Sequence, residues 1–330
     1  MYATHLGSLP GTDFGAALRL VRDSFEQVGL PELPARGIGA QLIGRTASLL
    51  DGLAVDLQPA GWRMADHSGT DQRRALALFR RDLDDLEEHS HDLVGPAKLS
   101  VAGPWTLAAG IELARGELVL ADAGACRELA ESLASGLSGL LAELRRRLPG
   151  ATWTVQLDEP SLPSVHAGAL RTASGFGRHR SVDETVLGRG LGVVAGAITD
   201  SGADVVLHSC APGIDLDWLR RGEISTVALD VATLTGADLD HLGGWVEGGS
   251  RVWWGLQPTH EVDAVLSRDD LLGDWRRLVH RLGLDPAVVL ERSVLTPACG
   301  LAGWSPTAVS QVFANLGWLV EAAAEDAAKG

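Results

Sequence analysis

The chain has 330 residues, 45% of them hydrophobic, enough to bury one large core or two modest ones, which excludes a disordered or peptide-scale molecule. Its 28 Lys and Arg stand against 43 Asp and Glu, a formal charge of −15, and a field of that sign repels phosphate backbones and anionic lipid headgroups, so nucleic-acid and membrane partners are disfavoured. Three cysteines cannot build a disulfide framework and fit a reducing cytoplasm, and the longest uncharged apolar stretch, Gly190–Ile198, is about half the roughly 20 residues of a membrane-spanning helix.

Eight short β-type runs follow in chain order: Tyr2–Ser8, Leu53–Gln58, Ala97–Ala102, Thr152–Leu157, Asp204–His208, Ser225–Asp230, Arg251–Leu256 and Val288–Thr296. Most are followed by a turn and then by a stretch of helical periodicity, the pattern of a parallel α/β architecture. After Asp122, a candidate N-cap, Leu129, Leu133, Leu137, Leu140, Leu144 and Leu148 recur every three or four positions until Pro149-Gly150 stops the stripe. The last segment opens with Ser305 as cap and Pro306 at the first helical position, with Val309, Val312, Phe313, Leu316, Leu319 and Val320 on one side. Eight strand–helix units in slightly more than the ~250 residues of a minimal barrel predict a single (β/α)8 TIM barrel over residues 1–330, with the excess in an N-terminal helical excursion and longer loops. A doubly wound open sheet is the alternative. Pro163–Arg180, rich in Gly and Pro, reads as a long loop or lid.

In such a fold the reacting groups sit where strands end. His208 and Cys210 are two apart at a strand terminus, so their side chains project to the same side and can reach one ion. Cys299 closes the eighth run, and a barrel would bring its thiol over the same opening. One nitrogen and two sulfurs favour zinc over magnesium or calcium. The competing reading is a packed thiol and a satisfied histidine. Cys126, three residues before Leu129 on the apolar stripe, reads as core. Asp158-Glu159 leaves two carboxylates at the rim, able to bind an ammonium group or to serve as a loop pair or helix cap.

The order of these motifs resembles the C-terminal catalytic barrel of cobalamin-independent methionine synthase, within the uroporphyrinogen-decarboxylase-like barrel superfamily. Thr4-His5-Leu6-Gly7-Ser8-Leu9-Pro10 is similar to that family's T-x-I-G-S-F-P, and Val101-Ala102-Gly103-Pro104-Trp105-Thr106-Leu107 to its L-T-G-P-V-T-I. Gln156–Pro160 matches Q-x-D-E-P, His208-Ser209-Cys210 matches H-x-C, and Thr296–Leu301 is similar to N-P-D-C-G-L. The resemblance implies a methyltransferase in which His208, Cys210 and Cys299 hold zinc. Asp230 takes the place of a fourth ligand that is Glu in the family. It further implies that Leu6, Gly7 and Ser8 hold the carboxylate end of homocysteine, that Asp158 holds its ammonium, and that His260 is the candidate proton donor. Zinc would convert the acceptor thiol to a thiolate able to attack a methyl group.

The chain departs from that pattern in places that concern the methyl donor. The family's N-terminal folate-binding barrel has no counterpart here, Gly110 falls where the family stacks the pterin on Trp, and Ser164 falls where it has a carboxylate. The acidic G-E-F-E-R motif for the amino-acid substrate is also missing. A methyltetrahydrofolate donor is therefore weighed against a methylated corrinoid, another acceptor, or a barrel that binds without catalysis. Trp105 and Trp304, beside retained motifs, are candidates for a replacement stacking surface or for packing.

Overall fold

The computed structural model describes residues 1–329. Its strands are, in chain order, β1 (Tyr2–Ala3), β2 (Val28–Gly29), β3 (Ala54–Gln58), β4 (Gly61–Ala65), β5 (Gly95–Ala102), β6 (Ile111–Glu112), β7 (Ala151–Asp158), β8 (Asp204–Ser209), β9 (Thr226–Asp230), β10 (Arg251–Gln257) and β11 (Ser293–Pro297). Eight of them form one curled sheet ordered β1-β11-β10-β9-β8-β7-β5-β2. Every pairing in it is parallel, so all the strands end on the same side. The segments following the two outermost strands meet at a parallel bridge between Ser8 and Glu32, where Leu9 N–H donates to Glu32 O (2.8 Å) and Glu32 N–H to Gly7 O (2.9 Å).

The strands read from the sequence fall within this sheet with one exception. Leu53–Gln58 does not supply its second strand: β3 pairs antiparallel with β4, and β4 pairs with β6, in a separate three-stranded sheet. The cause is local. Pro59-Ala60 forms a two-residue turn closed by Gly61 at φ +138°, a left-handed conformation that glycine adopts without strain, and the chain doubles back before it can reach β5. The place beside β5 is taken by Val28–Gly29. A Cβ on Gly29 would stand 2.2 Å from His5 Nε2, so the close approach of the first two strand segments requires glycine there. The eighth run is also shorter than its sequence pattern, because Pro286–Glu291 is helical and only Ser293–Pro297 is strand.

Helices cover the outer face. The helix Ala123–Arg147 begins as read, with Asp122 Oδ1 accepting from Gly124 N–H (2.7 Å) and Ala125 N–H (3.0 Å), and its leucine stripe is buried. Pro306–Lys329 forms the last helix. Most buried apolar side chains lie in one cluster that includes these helix stripes. A second, small cluster of Leu6, Val206, Ala228, Trp253 and Val294 stands apart from it. Val206, Ala228 and Val294 share strand parity with His208, Asp230 and Thr296, and Trp253 is registered beside Ala228 and Val294, which assigns this cluster to the inner face of the sheet. Burying such side chains stabilises the fold by about 1.5–3 kcal/mol each, so the inner face is a packed interior as well as the floor of whatever lies above it.

Candidate metal centre

β7, β8, β9 and β11 end at Asp158, Ser209, Asp230 and Pro297, so their last residues converge on the carboxyl end of the sheet. There a ligand-capable atom from each of His208, Cys210 and Cys299 lies within 4.8 Å of the others, the one such group of three or more among the described residues. The two sulfurs are 3.2 Å apart.

His208 is buried, and β7–β8 register sets Asp158 opposite it. Asp158 Oδ1 lies 2.7 Å from His208 Nδ1. A carboxylate can only accept, so Nδ1 carries a proton, and in the neutral ring the lone pair is on Nε2. That nitrogen is buried with no hydrogen-bond partner among the described residues. A carboxylate on one ring nitrogen and an unused lone pair on the other is the usual arrangement of a metal-binding histidine. Burial pulls the His208 pKa down, but the hydrogen bond and charge of Asp158, with the charge of Cys210, outweigh it and raise the value.

The cysteines behave as an unequal pair. The hydrogen bond from Cys299 and the His208 charge lower Cys210 to about 6, against the opposing effect of burial. Cys299 is held well above the ordinary thiol range, first by that same bond and then by burial. A thiolate already favoured at neutral pH, a second sulfur beside it and an orphaned imidazole nitrogen are a donor set that fits zinc.

The remaining predicted residues divide. Leu6, Gly7 and Ser8 run alongside the Cys299 loop: Leu301 N–H donates to Ser8 O (2.8 Å), and a Cβ on Gly300 would stand 1.8 Å from Ser8 Oγ. Leu6 O accepts from Gln156 Nε2 at 3.2 Å. Asp230 lies outside the His-Cys-Cys group. Its Oδ1 accepts from Ala232 N–H at 2.9 Å, and its pKa is raised by burial, against that bond and the charges of His260 and His208. His260 is exposed in the loop after β10.

The adjacent carboxylates Asp158 and Glu159 have different partners. Glu159 is fully buried and accepts from Trp105 N–H (2.9 Å), Thr106 N–H (2.8 Å) and Thr106 Oγ1 (2.7 Å). It caps the helix Pro104–Gly110, the helix-cap alternative among those read from the sequence. Burial raises its pKa to about 7 in spite of those bonds. Trp105 and Trp304 are each 4% exposed, and Trp105 Nε1 donates to Leu187 O at 3.0 Å; both are packing residues.

Sequence reasoning missed a buried polar chain beneath the cluster. Lys98 Nζ donates to Gln156 Oε1 (2.8 Å) and Ser100 Oγ (3.3 Å), and Gln156 Nε2 donates to Asp158 Oδ1 (2.7 Å). Arg45 Nη1 donates to Ser100 O (2.6 Å) and to Glu32 Oε1 (3.3 Å). Burial lowers Lys98 to about 8, with Asp158 and Glu32 opposing, and raises Glu32 to about 7, with Arg45 opposing. The signal available was Lys98, a charged residue inside an otherwise apolar strand at the same parity as Ser100 and Ala102. A cavity of about 580 Å³ lies away from this centre, against the helices Ala123–Arg147 and Glu184–Asp200, and contains none of the cluster residues.

No family model matches the chain, and no curated protein does. Among solved structures, a B12-independent methionine synthase from Shewanella sp. W3-18-1 in complex with selenomethionine superposes with a TM-score of 0.61 at 13% identity, over 99% of each chain. At that identity the likeness shows a shared fold. A β-galactosidase from the psychrophilic Marinomonas ef1 (TM-score 0.46, 12% identity, 98% of this chain and 60% of that one) and a 2,3-dimethylmalate lyase (0.37, 11%, 99% and 81%) are more distant. No helix among the described residues is long and apolar enough to cross a membrane.

Proposed function

We propose that the chain is a zinc-dependent methyltransferase that moves a methyl group onto the thiol of homocysteine to give methionine, as one (β/α)8 barrel over residues 1–330 closed at the Ser8–Glu32 bridge. Its N-terminal helices form an excursion, and it works in the cytoplasm. The observation that carries this reading is the convergence of His208, Cys210 and Cys299 from two distant stretches of chain to within 4.8 Å. The full-length fold likeness to a methionine synthase solved with selenomethionine, an isostere of the proposed product, supports it.

Under this reading His208 Nε2, Cys210 and Cys299 hold zinc, with Asp230 as the candidate fourth ligand. Bound zinc supplies the charge that favours the thiolate form of the acceptor. The chain's own residues do the rest. Asp158 orients His208 through Oδ1, and its Oδ2, which has no hydrogen bond among the described residues, is the atom offered to the substrate ammonium. The Leu6-Gly7-Ser8 segment takes the carboxylate with its backbone. The acceptor sulfur gives up its proton and forms the new bond to the methyl carbon. The methyl–nitrogen bond of a methyltetrahydrofolate breaks, and that nitrogen takes a proton for which His260 is the donor. Orientation of the two reactants accounts for much of the rate.

Gly110 and Ser164 stand where the resembled family has its pterin-stacking Trp and a carboxylate, which favours a second reading with a methylated corrinoid as donor, the acceptor thiol unchanged. Parallel assays of zinc-loaded protein with homocysteine and either methyltetrahydrofolate or methylcobalamin separate the two. Methionine from the folate alone supports the first reading and methionine from the corrinoid alone the second. Zinc-loaded protein that makes methionine from neither leaves another acceptor, or a binding barrel without catalysis.

A further inference from the structure

The buried chain of polar groups beneath the metal centre has a direction. Lys98, 1% exposed, is an ammonium and can only donate. Its contact with Gln156 at 2.8 Å therefore requires the amide oxygen; the flipped amide would set an NH2 group against the ammonium. That choice leaves Gln156 Nε2 to donate, which it does to Asp158 Oδ1 at 2.7 Å and to Leu6 O at 3.2 Å. The same Oδ1 receives His208 Nδ1 at 2.7 Å. One carboxylate oxygen thus takes two donors, one pushed toward it by Lys98 and the other from the ring it orients. At the far end of this hydrogen-bonded series, His208 Nε2 has no hydrogen-bond partner among the described residues.

We propose that Lys98 is a positioning residue for the metal centre: acting through Gln156 and Asp158, it locks His208 in the Nδ1–H tautomer with the Nε2 lone pair turned to Cys210 and Cys299. This deepens the zinc reading above and rests on it for its consequence, although the tautomer itself is a property of the metal-free protein. Lys98 also offsets the Asp158 charge from within the barrel. Both Asp158 and Glu32 act on the lysine with opposite charge, and Arg45 acts with like charge. The Trp253 ring lies 5.9 Å from Nζ, closing the apolar side of the lysine's surroundings. The Leu6 carbonyl held by the same amide belongs to the segment assigned to the substrate carboxylate, so one lysine sets both the metal-binding ring and the loop beside it.

The test begins with the metal-free protein. Long-range ¹H–¹⁵N correlation spectra of the imidazoles over a pH series that reaches the neutral ring, with the His208 signals identified by their loss in His208→Asn, should show a single Nδ1–H tautomer in the wild type. Lys98→Met should give a mixture of tautomers. Gln156→Met leaves no group to donate to Asp158, and should do the same. Zinc affinity, measured by competition with a chromophoric chelator, should fall about 10–100-fold in both variants, the range for loss of a group that orients a ligand. Leu99→Ala, on the same strand but in the outer core, controls for general destabilisation and should leave tautomer and affinity unchanged. Should Lys98→Met fail to fold, Gln156→Met decides the matter. An unchanged His208 tautomer in folded Lys98→Met or Gln156→Met overturns the proposal, as does an equal loss of zinc in Leu99→Ala. If the wild type binds no zinc, the functional reading falls while the tautomer measurement still decides the role of Lys98.

Discussion

The inner face of the curled sheet has two unlike halves. On β5 and β7 it carries Lys98, Ser100, Gln156 and Asp158, joined by hydrogen bonds that run toward His208. On β8 to β11 it carries Val206, Ala228, Trp253 and Val294, packed with Leu6 into a small core of their own. The polar half is costly to bury unless every group is partnered, and its groups are partnered along one line that ends at the His208-Cys210-Cys299 cluster. The apolar half needs no such line and serves as packing. The difference teaches that stability and site geometry are carried by opposite walls of the same interior, so changes to the two walls should separate.

The largest effect is expected where the two walls meet, at the cluster. Cys210→Ser should lose stoichiometric zinc, as read by elemental analysis, and all methyl transfer, with the fold retained by circular dichroism; retention of one zinc per chain would break the assignment. Next, Trp253→Ala on the apolar wall should cost about 3–5 kcal/mol of stability by urea denaturation, while zinc affinity in the surviving folded protein changes little. Asp158→Asn on the polar wall should show the converse pattern, with a fall of about 10–100-fold in zinc affinity and a smaller change in stability. Equal behaviour of Trp253→Ala and Asp158→Asn would erase the distinction between the walls.

A smaller, pH-dependent effect comes from Glu159. Its folded pKa is raised from 4.5 to about 7, burial being the main cause. The folded state therefore holds the proton better than the unfolded chain. Its contribution to stability is fully present below pH 4.5 and is lost as pH rises through about 7. Glu32 has the same sign and range. Urea midpoints for Glu159→Gln between pH 4.5 and 8 should decline less with rising pH than those of the wild type. A slope unchanged by the substitution would assign the titration elsewhere.

Legibility of the fold followed strand length except at β1, two residues of strand within the longer run Tyr2–Ser8. β5 and β7, each eight residues long, and β8 to β11, each five to seven, showed as apolar runs with polar ends. β2 is two residues long and has no periodicity to read, and the alternating run Leu53–Gln58 stands in its place in the sequence because alternation alone does not distinguish a barrel strand from one arm of a hairpin. The Pro59-Ala60-Gly61 turn was the available clue. The cluster was legible because H-x-C puts two ligands on one side of a strand end, a statement about parity that survives folding. Asp230 and His260 were chosen by resemblance and position along the chain, and neither fixes where a side chain points once a loop intervenes. Asp158 and Glu159 look alike in sequence. Strand alternation separates them, turning the first inward to His208 and the second outward to the Pro104–Gly110 helix.

The central claim is that one zinc ion gripped by His208, Cys210 and Cys299 prepares a thiol for methylation. Calorimetric titration of homocysteine into zinc-loaded and zinc-stripped protein, with metal content measured on the same samples, tests it directly. The account predicts about one zinc per chain and homocysteine binding that accompanies the metal, with proton release on binding. Equal affinity for homocysteine with and without zinc, or no bound zinc at all, would contradict it.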